Sequence, residues 1–385
     1  MRYLRLFERF SSEKEIIIVG GGIASLYAAY KLKKRFPNTK FQILEMSSEC
    51  GGRVKMYTME NALLPTGAQF SRLEKDKYLY KLLKELKIKT VDKELEIDYT
   101  FHAVDINPFI NKIKKSLPKL NRSNSTFKKF AKNILGEQNY NLLTKMMGYT
   151  DYENADVKDT ISNYGLDDNL PGYKITNLNW NELVEKLIDF IGKENIKLNT
   201  KVTSIKKTKD GFILNDKMEC DGVIIGVTIN QLRKLLSDKI YNQIESQNFI
   251  KVFGKVKGLE TCKNYTVVDS ELKKVIPIKN DIFTIAFSDN EDASKIESKG
   301  KKYFEEMLSK HFDSDVKVSK IKRFIWEEGT HFYKPLKDEY KSREEFIKKA
   351  QHPQENLWVI GEVVALKQGW VEGALSSVEN LELFK

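Results

Sequence analysis

The segment from residue 16 to residue 45, IIIVGGGIASLYAAYKLKKRFPNTKFQILE, constrains the fold of this chain more than any other. It opens with four β-branched residues at positions 16–19, a run typical of a parallel strand that is buried on both faces. Gly20 and Gly22 then allow a tight turn in which the backbone approaches a pyrophosphate closely. We expect a helix from about Ile23, whose free N–H groups and positive dipole end favour anions. The segment therefore predicts a strand, a turn and a helix that bind a dinucleotide.

The end of this segment supports the same interpretation. Residues 41–44 form the next apolar strand, and Glu45 stands about 20 residues beyond the glycines, where an acidic residue accepts hydrogen bonds from a ribose. Ser25 replaces the third glycine of the GxGxxG pattern and leaves less room between helix and strand. A membrane span is excluded, because the uncharged run is shorter than the roughly 20 residues that a bilayer requires. We expect the dinucleotide to contact Gly20, Gly22, Ile23, Ala24, Ser25 and Glu45.

A second motif, SECGGR at residues 48–53, follows directly after the second strand. Its two glycines allow close backbone approach to a phosphate, and a guanidinium pairs with phosphate oxygens through two hydrogen bonds. Together with the first segment, this motif resembles the flavin-dependent amine oxidase family, which includes monoamine, polyamine and protoporphyrinogen oxidases. The resemblance implies that the dinucleotide is FAD and that Gly51, Gly52 and Arg53 lie along its pyrophosphate.

The C-terminal part of the chain carries a further match, LWVIGE at residues 357–362 and QGWVEGALS at residues 368–376. These motifs resemble the closing strand and the flavin-facing helix of the same family. The resemblance implies that Gly361 and Glu362 lie near the pyrophosphate and ribityl chain. It also implies that a helix beginning near Val371 directs its N-terminus at flavin N1, where a helix end stabilises negative charge.

Two internal regions have weaker matches to the family. In the alternating strands of residues 196–226, Val202 is expected to contact the adenine end of FAD through its backbone, although such alternation is common in any sheet. In the TGAQF segment, Gly67 and Ala68 are expected beside the isoalloxazine ring. Departures from the family pattern occur at Pro65, often an acidic residue in relatives, and at Ser377, usually glycine in them.

The expected fold class is α/β, with a Rossmann-like FAD-binding domain and an inserted mixed α+β substrate domain. The chain has 385 residues, of which 41% are hydrophobic, and this suffices for a large core and two domains. We expect the FAD-binding domain to comprise residues 1–70, 173–230 and 351–385, and the substrate-binding domain residues 71–172 and 231–350.

The candidate catalytic residues rest on the resemblance. Lys251, in the apolar strand-like segment NFIKVFGKVK, corresponds to a lysine that contacts a water near flavin N5, so it is the candidate for assisting flavin reoxidation. A lysine extending from a strand edge is the structural alternative. Trp370 is expected to form one wall of an aromatic cage for the substrate amine, and His331 or Tyr333, or the intervening Phe332, to supply the second wall. Buried aromatic residues are also typical of an ordinary core.

The resemblance implies an FAD-dependent oxidoreductase, an amine oxidase that converts a primary or secondary amine, including a polyamine, to an imine while O₂ is reduced to H₂O₂. The alternatives are a flavin-dependent dehydrogenase or desaturase acting on C–C bonds, as in protoporphyrinogen oxidases, and a non-catalytic FAD-binding or redox-sensing module. Because residues 326–335 contain no cysteine, FAD is expected to be bound noncovalently. The substrate and the electron acceptor within these classes stay open.

Composition bears on partners and location. The net charge of +11 invites a nucleic-acid interpretation, but 55 of the 65 basic residues are lysines spread beside acidic residues, so no specific nucleic acid is expected. The most basic stretch, residues 111–132, could contact an acidic partner. Residues 1–10 lack the apolar core of a secretion signal, and no transmembrane segment is expected, so a cytoplasmic location is predicted. Three isolated cysteines and four scattered histidines predict neither disulfides nor a metal site. The oligomeric state is left open.

Overall fold

The computed structural model describes residues 14–72, 74–119, 125–164, 166 and 172–384. The N-terminal segment 1–10 and part of the basic stretch 111–132 lie outside these residues. The strands are β1 (Glu15–Val19), β2 (Lys40–Leu44), β3 (Met56–Met59), β4 (Ala62–Pro65), β5 (Ser71–Arg72), β6 (Thr90–Leu95), β7 (Ile97–Tyr99), β8 (Tyr173–Leu178), β9 (Ile196–Lys197), β10 (Ile205–Lys207), β11 (Phe212–Leu214), β12 (Met218–Cys220), β13 (Gly222–Ile225), β14 (Ile244–Lys257), β15 (Tyr265–Val267), β16 (Lys274–Lys279), β17 (Ile282–Asp289), β18 (Lys317–Tyr333) and β19 (Leu357–Val359).

The longer helices separate these strands, and several short helical turns occur between them. The helices are α1 (Ile23–Arg35), α2 (Lys77–Glu85), α3 (Asn107–Ser116), α4 (Phe127–Leu135), α5 (Glu137–Met147), α6 (Trp180–Ile191), α7 (Ile229–Leu236), α8 (Asn290–Ile296), α9 (Lys301–Phe312), α10 (Arg343–Gln351) and α11 (Val371–Glu379). In the described part of the chain, no helix is long and apolar enough to cross a membrane.

A parallel sheet of five strands, in the order β19-β13-β1-β2-β9, forms the centre of the nucleotide-binding half. Its strand β1 is buried on both faces, as the run of β-branched residues predicted. Ile16 and Ile18 pack into a core with α1, α6 and α11, whereas Ile17 and Val19 pack into a core with β11, β13 and α7. Alternate residues of a strand point to opposite faces, so one short apolar run supports two helical or sheet layers.

A second sheet of six strands, in the order β18-β14-β17-β16-β15-β7, is mostly antiparallel. Ile250 and Val252 of β14 face a core that α8 and α9 complete. The alternate residues Phe249 and Lys251 face a large cavity. A separate cluster of helices, α3 to α5, packs around the buried residues Phe127 and Leu143.

The sequence-based fold class is confirmed, with a Rossmann-like parallel sheet and a mixed α+β part. All five strands of the parallel sheet come from the three segments expected to form the nucleotide-binding domain, at residues 15–19 and 40–44, at 196–197 and 222–225, and at 357–359. The division of the whole chain into two domains at the stated boundaries stays a prediction. The three cysteines, Cys50, Cys220 and Cys262, are buried and free.

Candidate cofactor and substrate site

A cavity of about 500 Å³ extends from the carboxyl ends of β1 and β2 to the inner face of β14. Open α/β sheets bind ligands at this edge, where the strand order reverses. The wall is made by residues within segments 19–24, 44–46, 51–54, 66–70, 149–164, 200–202, 226–231, 249–251, 326–330 and 361–374, together with Tyr265 and Phe287.

The turn after β1 is shaped for close approach of a ligand. Gly20 has φ +95°, and a Cβ atom there would lie 2.6 Å from the carbonyl oxygen of Gly226. A Cβ on Gly22 would meet no protein atom within 4 Å, so this turn is open towards the cavity. Helix α1 begins at Ile23 without a side-chain cap, which leaves its first N–H groups for a ligand. With Ala24, these residues form an anion-binding helix N-terminus in the cavity wall.

Ser25 departs from the glycine pattern, and the structure shows how the chain accommodates it. The side chain is fully buried, and a Cβ on Gly226 would lie 2.2 Å from its hydroxyl oxygen. Gly226, the residue that follows β13, therefore supplies the glycine that the helix lacks. The hydroxyl oxygen has no hydrogen-bond partner among the described residues.

Glu45 lies at the end of β2 in the cavity wall, as expected. Its Oε2 accepts a hydrogen bond from the N–H of Gly21 at 2.5 Å, and its Oε1 accepts one from the N–H of Ser47 at 2.7 Å. These bonds fix the carboxylate beside the glycine turn, where it can accept hydroxyl hydrogen bonds from a ribose. Val202 also lines this end of the cavity, and its side chain is buried.

The segment with Gly52 and Arg53 packs against the loop that holds Gly67 and Ala68. The N–H of Ala68 donates to the carbonyl oxygen of Arg53 at 3.0 Å, and a Cβ on Gly67 would lie 2.0 Å from the same oxygen. Gly52 adopts φ +56°, a left-handed conformation that favours glycine. The four residues therefore meet at the cavity wall, and their contacts with a cofactor stay a prediction.

Glu362 is the electrostatic centre of this wall. Its carboxylate accepts hydrogen bonds from His331 Nδ1 at 2.6 Å, from the N–H of Gly369 at 2.7 Å and from Arg53 Nη1 at 3.1 Å. Burial alone would raise its pKa, but the attraction of His331 and Arg53 and these hydrogen bonds outweigh burial and lower the pKa to about 2. Glu362 is therefore an anion that orients the Arg53 guanidinium towards the cavity.

Helix α11 begins at Val371, beside the cavity, and has no side-chain cap, so its N-terminus is free for a ligand. Gly361, with φ +111°, precedes it on the same wall and donates its N–H to the Ser377 hydroxyl at 2.8 Å. The serine at the position that is usually glycine in relatives thus holds the strand-to-helix connection in place.

Lys251 lies in the cavity wall but is almost completely buried. Its Nζ donates to the carbonyl oxygens of Pro65 at 3.0 Å and Gly67 at 2.8 Å, and to Gln69 Oε1 at 2.8 Å. Burial lowers its pKa to about 7. Three oxygen acceptors match the three hydrogens of an ammonium, so Lys251 holds the 65–69 loop against the cavity. The expectation of a lysine that extends from a strand edge into solvent does not fit this burial.

Trp370 lines the cavity and already has a cation on it. The Arg72 guanidinium lies 4.0 Å from the centre of the indole ring and is held by an ion pair with buried Asp76 at 2.7 Å. The Phe70 ring also contacts Trp370, and the centres of the two rings are 6.0 Å apart. A substrate can therefore reach only the part of the ring that Arg72 leaves uncovered.

His331 and Tyr333 are not brought to the cavity, and this corrects the expectation that one of them forms a second cage wall. The His331 side chain is fully buried, donates to Glu362, and accepts a hydrogen bond at Nε2 from the N–H of Ile229 at 3.2 Å. Tyr333 is buried in the core and donates to the Ala365 carbonyl oxygen at 2.9 Å. Trp326, on the same strand, does line the cavity and donates to the Thr66 carbonyl oxygen at 2.9 Å.

Sequence reasoning missed the residues at the far end of the cavity. They are Tyr149, Asp151, Tyr164, Phe249, Tyr265 and Phe287. Phe249 lies in the NFIKVFGKVK segment, where only Lys251 was singled out, and the other five lie in no recognisable motif, because they come from segments that are distant in sequence. Among the described residues, no cluster of three or more His, Cys, Asp or Glu side chains is arranged to hold a metal ion.

Comparison with known proteins gives a sequence match and several structural matches. Residues 18–86 match the NAD(P)-binding Rossmann-like domain family. An uncharacterized protein of Acanthamoeba polyphaga mimivirus is 21% identical over 479 aligned positions, which cover 96% of this chain and 93% of that protein. The structure of wild-type putrescine oxidase bound to putrescine superimposes with a TM-score of 0.73 at 15% identity and covers 95% of this chain and 97% of its own. The chain has the flavin amine oxidase fold.

This fold is shared with a second kind of enzyme. A structure from Exiguobacterium sp. 255-15, proposed to be a protoporphyrinogen oxidase, superimposes with a TM-score of 0.72 at 15% identity and covers 97% of this chain and 99% of its own. Both matches run along almost the whole chain. The similarity in fold therefore extends along almost the whole chain, and it agrees with the resemblance inferred from the motifs.

Proposed function

We propose that this chain is an FAD-dependent oxidoreductase that oxidises an amine. The observation that carries the proposal is a single cavity that joins two chemical environments. One end has a glycine turn, an ion pair between buried Glu362 and half-buried Arg53, and two uncapped helix N-termini, and the other has aromatic walls around Lys251 and a carboxylate. The first end suits a dinucleotide, and the second suits an organic cation or amine.

The residues present fit FAD. In the proposal, the turn at Gly20 and Gly22, with Ile23, Ala24 and Ser25 at the start of α1, holds the pyrophosphate. Glu45 accepts hydrogen bonds from the ribose, and Val202 contacts the adenine end. The open space around a Cβ on Gly22 and the tight φ +56° conformation of Gly52 support this assignment. When bound, FAD supplies the acceptor for two electrons.

The opposite wall is proposed to hold the flavin ring system. Gly67 and Ala68 provide backbone beside it, Gly361 and Glu362 border the ribityl side, and the N-terminus of α11 at Val371 offers positive potential for charge that develops on reduction. Cysteine is absent from residues 326–335, which supports noncovalent binding.

Lys251 is proposed to assist the redox chemistry in two ways. Its three hydrogen bonds hold the 65–69 loop, and its positive charge, 4.4 Å from the centre of the Phe287 ring, stabilises negative charge in a low-dielectric wall. Trp370 is proposed to orient the substrate through its uncovered face. Arg72 disfavours a second cation on the same ring, so the nitrogen next to Trp370 is better accommodated as the neutral amine.

The proposed reaction removes two electrons and two protons from the carbon and nitrogen of a primary or secondary amine and gives the imine, and O₂ receives both as H₂O₂. The imine then hydrolyses in water. The role of this chain is to position the C–H bond and exclude water from the site.

A dehydrogenase that acts on C–C bonds is a second candidate. It is supported by the match to the Exiguobacterium structure and by the aromatic side chains Phe249, Phe287 and Trp326 in the wall, which also suit a flat apolar substrate. A non-catalytic FAD-binding module would have the same cavity but would oxidise neither class.

An anaerobic titration separates these functions. Purified protein reconstituted with FAD is mixed, without oxygen, with mono-, di- and polyamines, and the visible absorption of oxidised flavin is followed. We expect at least one amine class to bleach this absorption, and readmission of O₂ to restore it with one H₂O₂ formed per flavin. Bleaching by a reduced porphyrin precursor but by no amine would support the second candidate. A flavin that no substrate of either class reduces would contradict both oxidase proposals.

A further inference from the structure

The far end of the cavity contains a carboxylate that has one uncommitted oxygen. Asp151 is 7% exposed and lines the cavity. Its Oδ1 accepts the hydroxyl hydrogen of Tyr164, and its backbone is held on both sides, by Asp289 through the N–H at 3.1 Å and by Gln247 through the carbonyl oxygen at 2.5 Å. Oδ2 accepts no hydrogen bond from any other residue that the structure describes. The aspartate is therefore fixed in place with an acceptor left for a ligand.

The neighbouring carboxylate, Asp289, is fully used in positioning this residue. It accepts the N–H of Thr150 at 2.8 Å, the Thr150 hydroxyl at 2.5 Å and the N–H of Asp151. Burial raises the pKa of Asp151 to about 7, and the charge of Asp289 adds to this effect, against the lowering action of Tyr164 and Lys274. The cavity wall thus carries a carboxylate that lacks a cationic partner within hydrogen-bonding distance.

Lys274 does not serve as that partner. Its Nζ is fully buried, lies over the Tyr149 ring and has no hydrogen-bond partner in the described residues. Burial lowers its pKa well below the ordinary value, although the two carboxylates oppose this. A cation that entered the cavity would therefore be the first group to pair with Asp151 directly.

Aromatic faces surround the same space. The ring centres of Tyr149 and Phe287 are 5.5 Å apart, those of Tyr149 and Phe249 6.3 Å, and the Tyr149 hydroxyl lies 3.2 Å from that of Tyr265. One carboxylate oxygen among aromatic faces is the combination that binds an alkylammonium group, because a charged hydrogen bond adds to cation–π attraction. An anionic substrate group would be repelled here.

We propose that Asp151 binds a positively charged nitrogen of the substrate through Oδ2, in a subsite walled by Tyr149, Phe249 and Tyr164. This rests on the proposed amine oxidase function and adds the binding residue. The nitrogen has two sources, either the amine that is oxidised, held as the ammonium before it loses its proton, or a second nitrogen of a diamine or polyamine.

The test is the binding of butylamine, 1,4-diaminobutane and 1-butanol to the FAD-reconstituted protein and to its Asp151→Asn variant, by calorimetry under anaerobic conditions at pH 8. Asparagine keeps an oxygen for Tyr164 and removes the charge. We expect at least a ten-fold loss of affinity for the diamine and no change for the alcohol. An equal loss for butylamine identifies the oxidised nitrogen as the bound group, and no loss for butylamine identifies the second nitrogen. Unchanged affinity for both amines overturns the proposal.

A matched control uses Asp159, a largely but not fully buried carboxylate whose pKa burial also raises to about 7. It pairs with Arg343 at 2.7 Å and lies outside the wall of the large cavity. Asp159→Asn should leave amine affinity unchanged, and a loss equal to that of Asp151→Asn would overturn the assignment. Melting temperatures of both variants show that they are folded. Amine binding that depends on Asp151 without flavin reduction would leave this inference standing and refute the oxidase function. Flavin reduction by an amine that binds the wild type and Asp151→Asn with equal affinity would support the oxidase function and overturn this inference.

The pH dependence provides an independent readout. Amine affinity of the wild type should fall as pH decreases through about 7, because the Asp151 carboxylate gains a proton there. This acid limb should be absent in Asp151→Asn. Tyr164→Phe removes a hydrogen bond that lowers the pKa of Asp151, so its acid limb should move to higher pH. The titratable neighbours Asp289, Lys274 and Lys251, the last with a pKa that burial lowers to about 7, are unchanged in both variants. An acid limb that persists in Asp151→Asn would belong to one of these groups and overturn the proposal.

Discussion

The buried carboxylate of Glu362 gives the most quantitative prediction. Glu362→Gln keeps the size of the side chain but removes the charge that faces His331 and Arg53. The pKa of Glu362 is about 2 instead of its ordinary 4.5. This difference corresponds to about 3 kcal/mol in favour of the charged form in the folded protein, because one pKa unit is about 1.4 kcal/mol.

The sign of the pH dependence follows from the lowered pKa. A carboxyl group with a folded-state pKa below its unfolded value stabilises the fold fully above about pH 4.5, and the stabilisation is lost as pH falls towards 2. We therefore expect Glu362→Gln to lower the free energy of unfolding by about 3 kcal/mol at pH 7. The difference from the wild type should shrink steadily below pH 4.5, as the wild-type carboxylate is protonated.

The assay is urea denaturation of both proteins without added FAD, from pH 7 down to pH 3. Glu372→Gln is the matched control, because burial raises the pKa of Glu372 while the N–H groups of Tyr78 and Leu79 lower it. Because the pKa of Glu372 is raised, its negative charge destabilises the fold. Glu372→Gln should therefore not show the loss of stability above pH 4.5 that is expected of Glu362→Gln. A Glu362→Gln protein as stable as the wild type at pH 7, or a difference that is constant with pH, would refute the electrostatic argument.

Three further predictions concern the cofactor wall. Lys251→Met should bind FAD but slow reoxidation of the reduced flavin by O₂ about ten-fold or more in stopped-flow experiments. The wild-type rate should fall as pH rises through about 7, where the ammonium loses its proton. Equal reoxidation rates in the variant and the wild type would remove Lys251 from the proposed chemistry. Gly20→Ala should lose about 1–3 kcal/mol of stability in denaturation experiments, since its Cβ would lie 2.6 Å from the Gly226 oxygen. Gly22→Ala should keep its stability but lose FAD affinity in a flavin titration, because its Cβ would meet no protein atom. Similar stability losses in both variants would contradict these roles of the two glycines. His331→Leu should raise the pKa of Glu362 and therefore lower the free energy of unfolding above about pH 4.5, by an amount that shrinks as pH falls. His331→Asn, which keeps a donor, should restore part of the loss in the same urea series, a pattern that a purely packing role would not give.

The cofactor half could be predicted from sequence because its determinants are local. The strand, the glycine turn and the helix of residues 15–35 follow one another in the chain, and Glu45 and Arg53 come soon after. Each position is dictated by backbone geometry that only glycine or a strand end provides. The structure places the glycine turn, Glu45 and Arg53 in the wall of one cavity.

The departures from the family pattern could not be interpreted from sequence, because their compensation lies far along the chain. Ser25 fits because Gly226, the residue that follows β13, leaves room for its hydroxyl. Ser377 is useful because its hydroxyl accepts the N–H of Gly361. Both contacts exist only after the strands and helices have assembled.

The substrate half was less predictable for two physical reasons. The pairing of β14 with β18 shifts register between Gln247 and Phe249, and a bulge of this kind changes which alternate side chains of the partner strand face the cavity. The choice among residues 331–333 for a cage wall depended on that register, and the chain places His331 and Tyr333 in the core instead. Asp151 and Tyr164 carry no motif, and they reach the cavity only through packing of segments that are remote in sequence.

The central claim is that the cavity holds one noncovalent FAD, and the flavin content of the purified protein tests it most directly. The protein is incubated with excess FAD, freed of unbound flavin and denatured, and the flavin released into solution is quantified against protein. We predict one FAD per chain, all of it released on denaturation, with a higher melting temperature for the loaded protein than for the FAD-free form. A protein that retains no flavin and whose melting temperature does not respond to FAD would contradict the account.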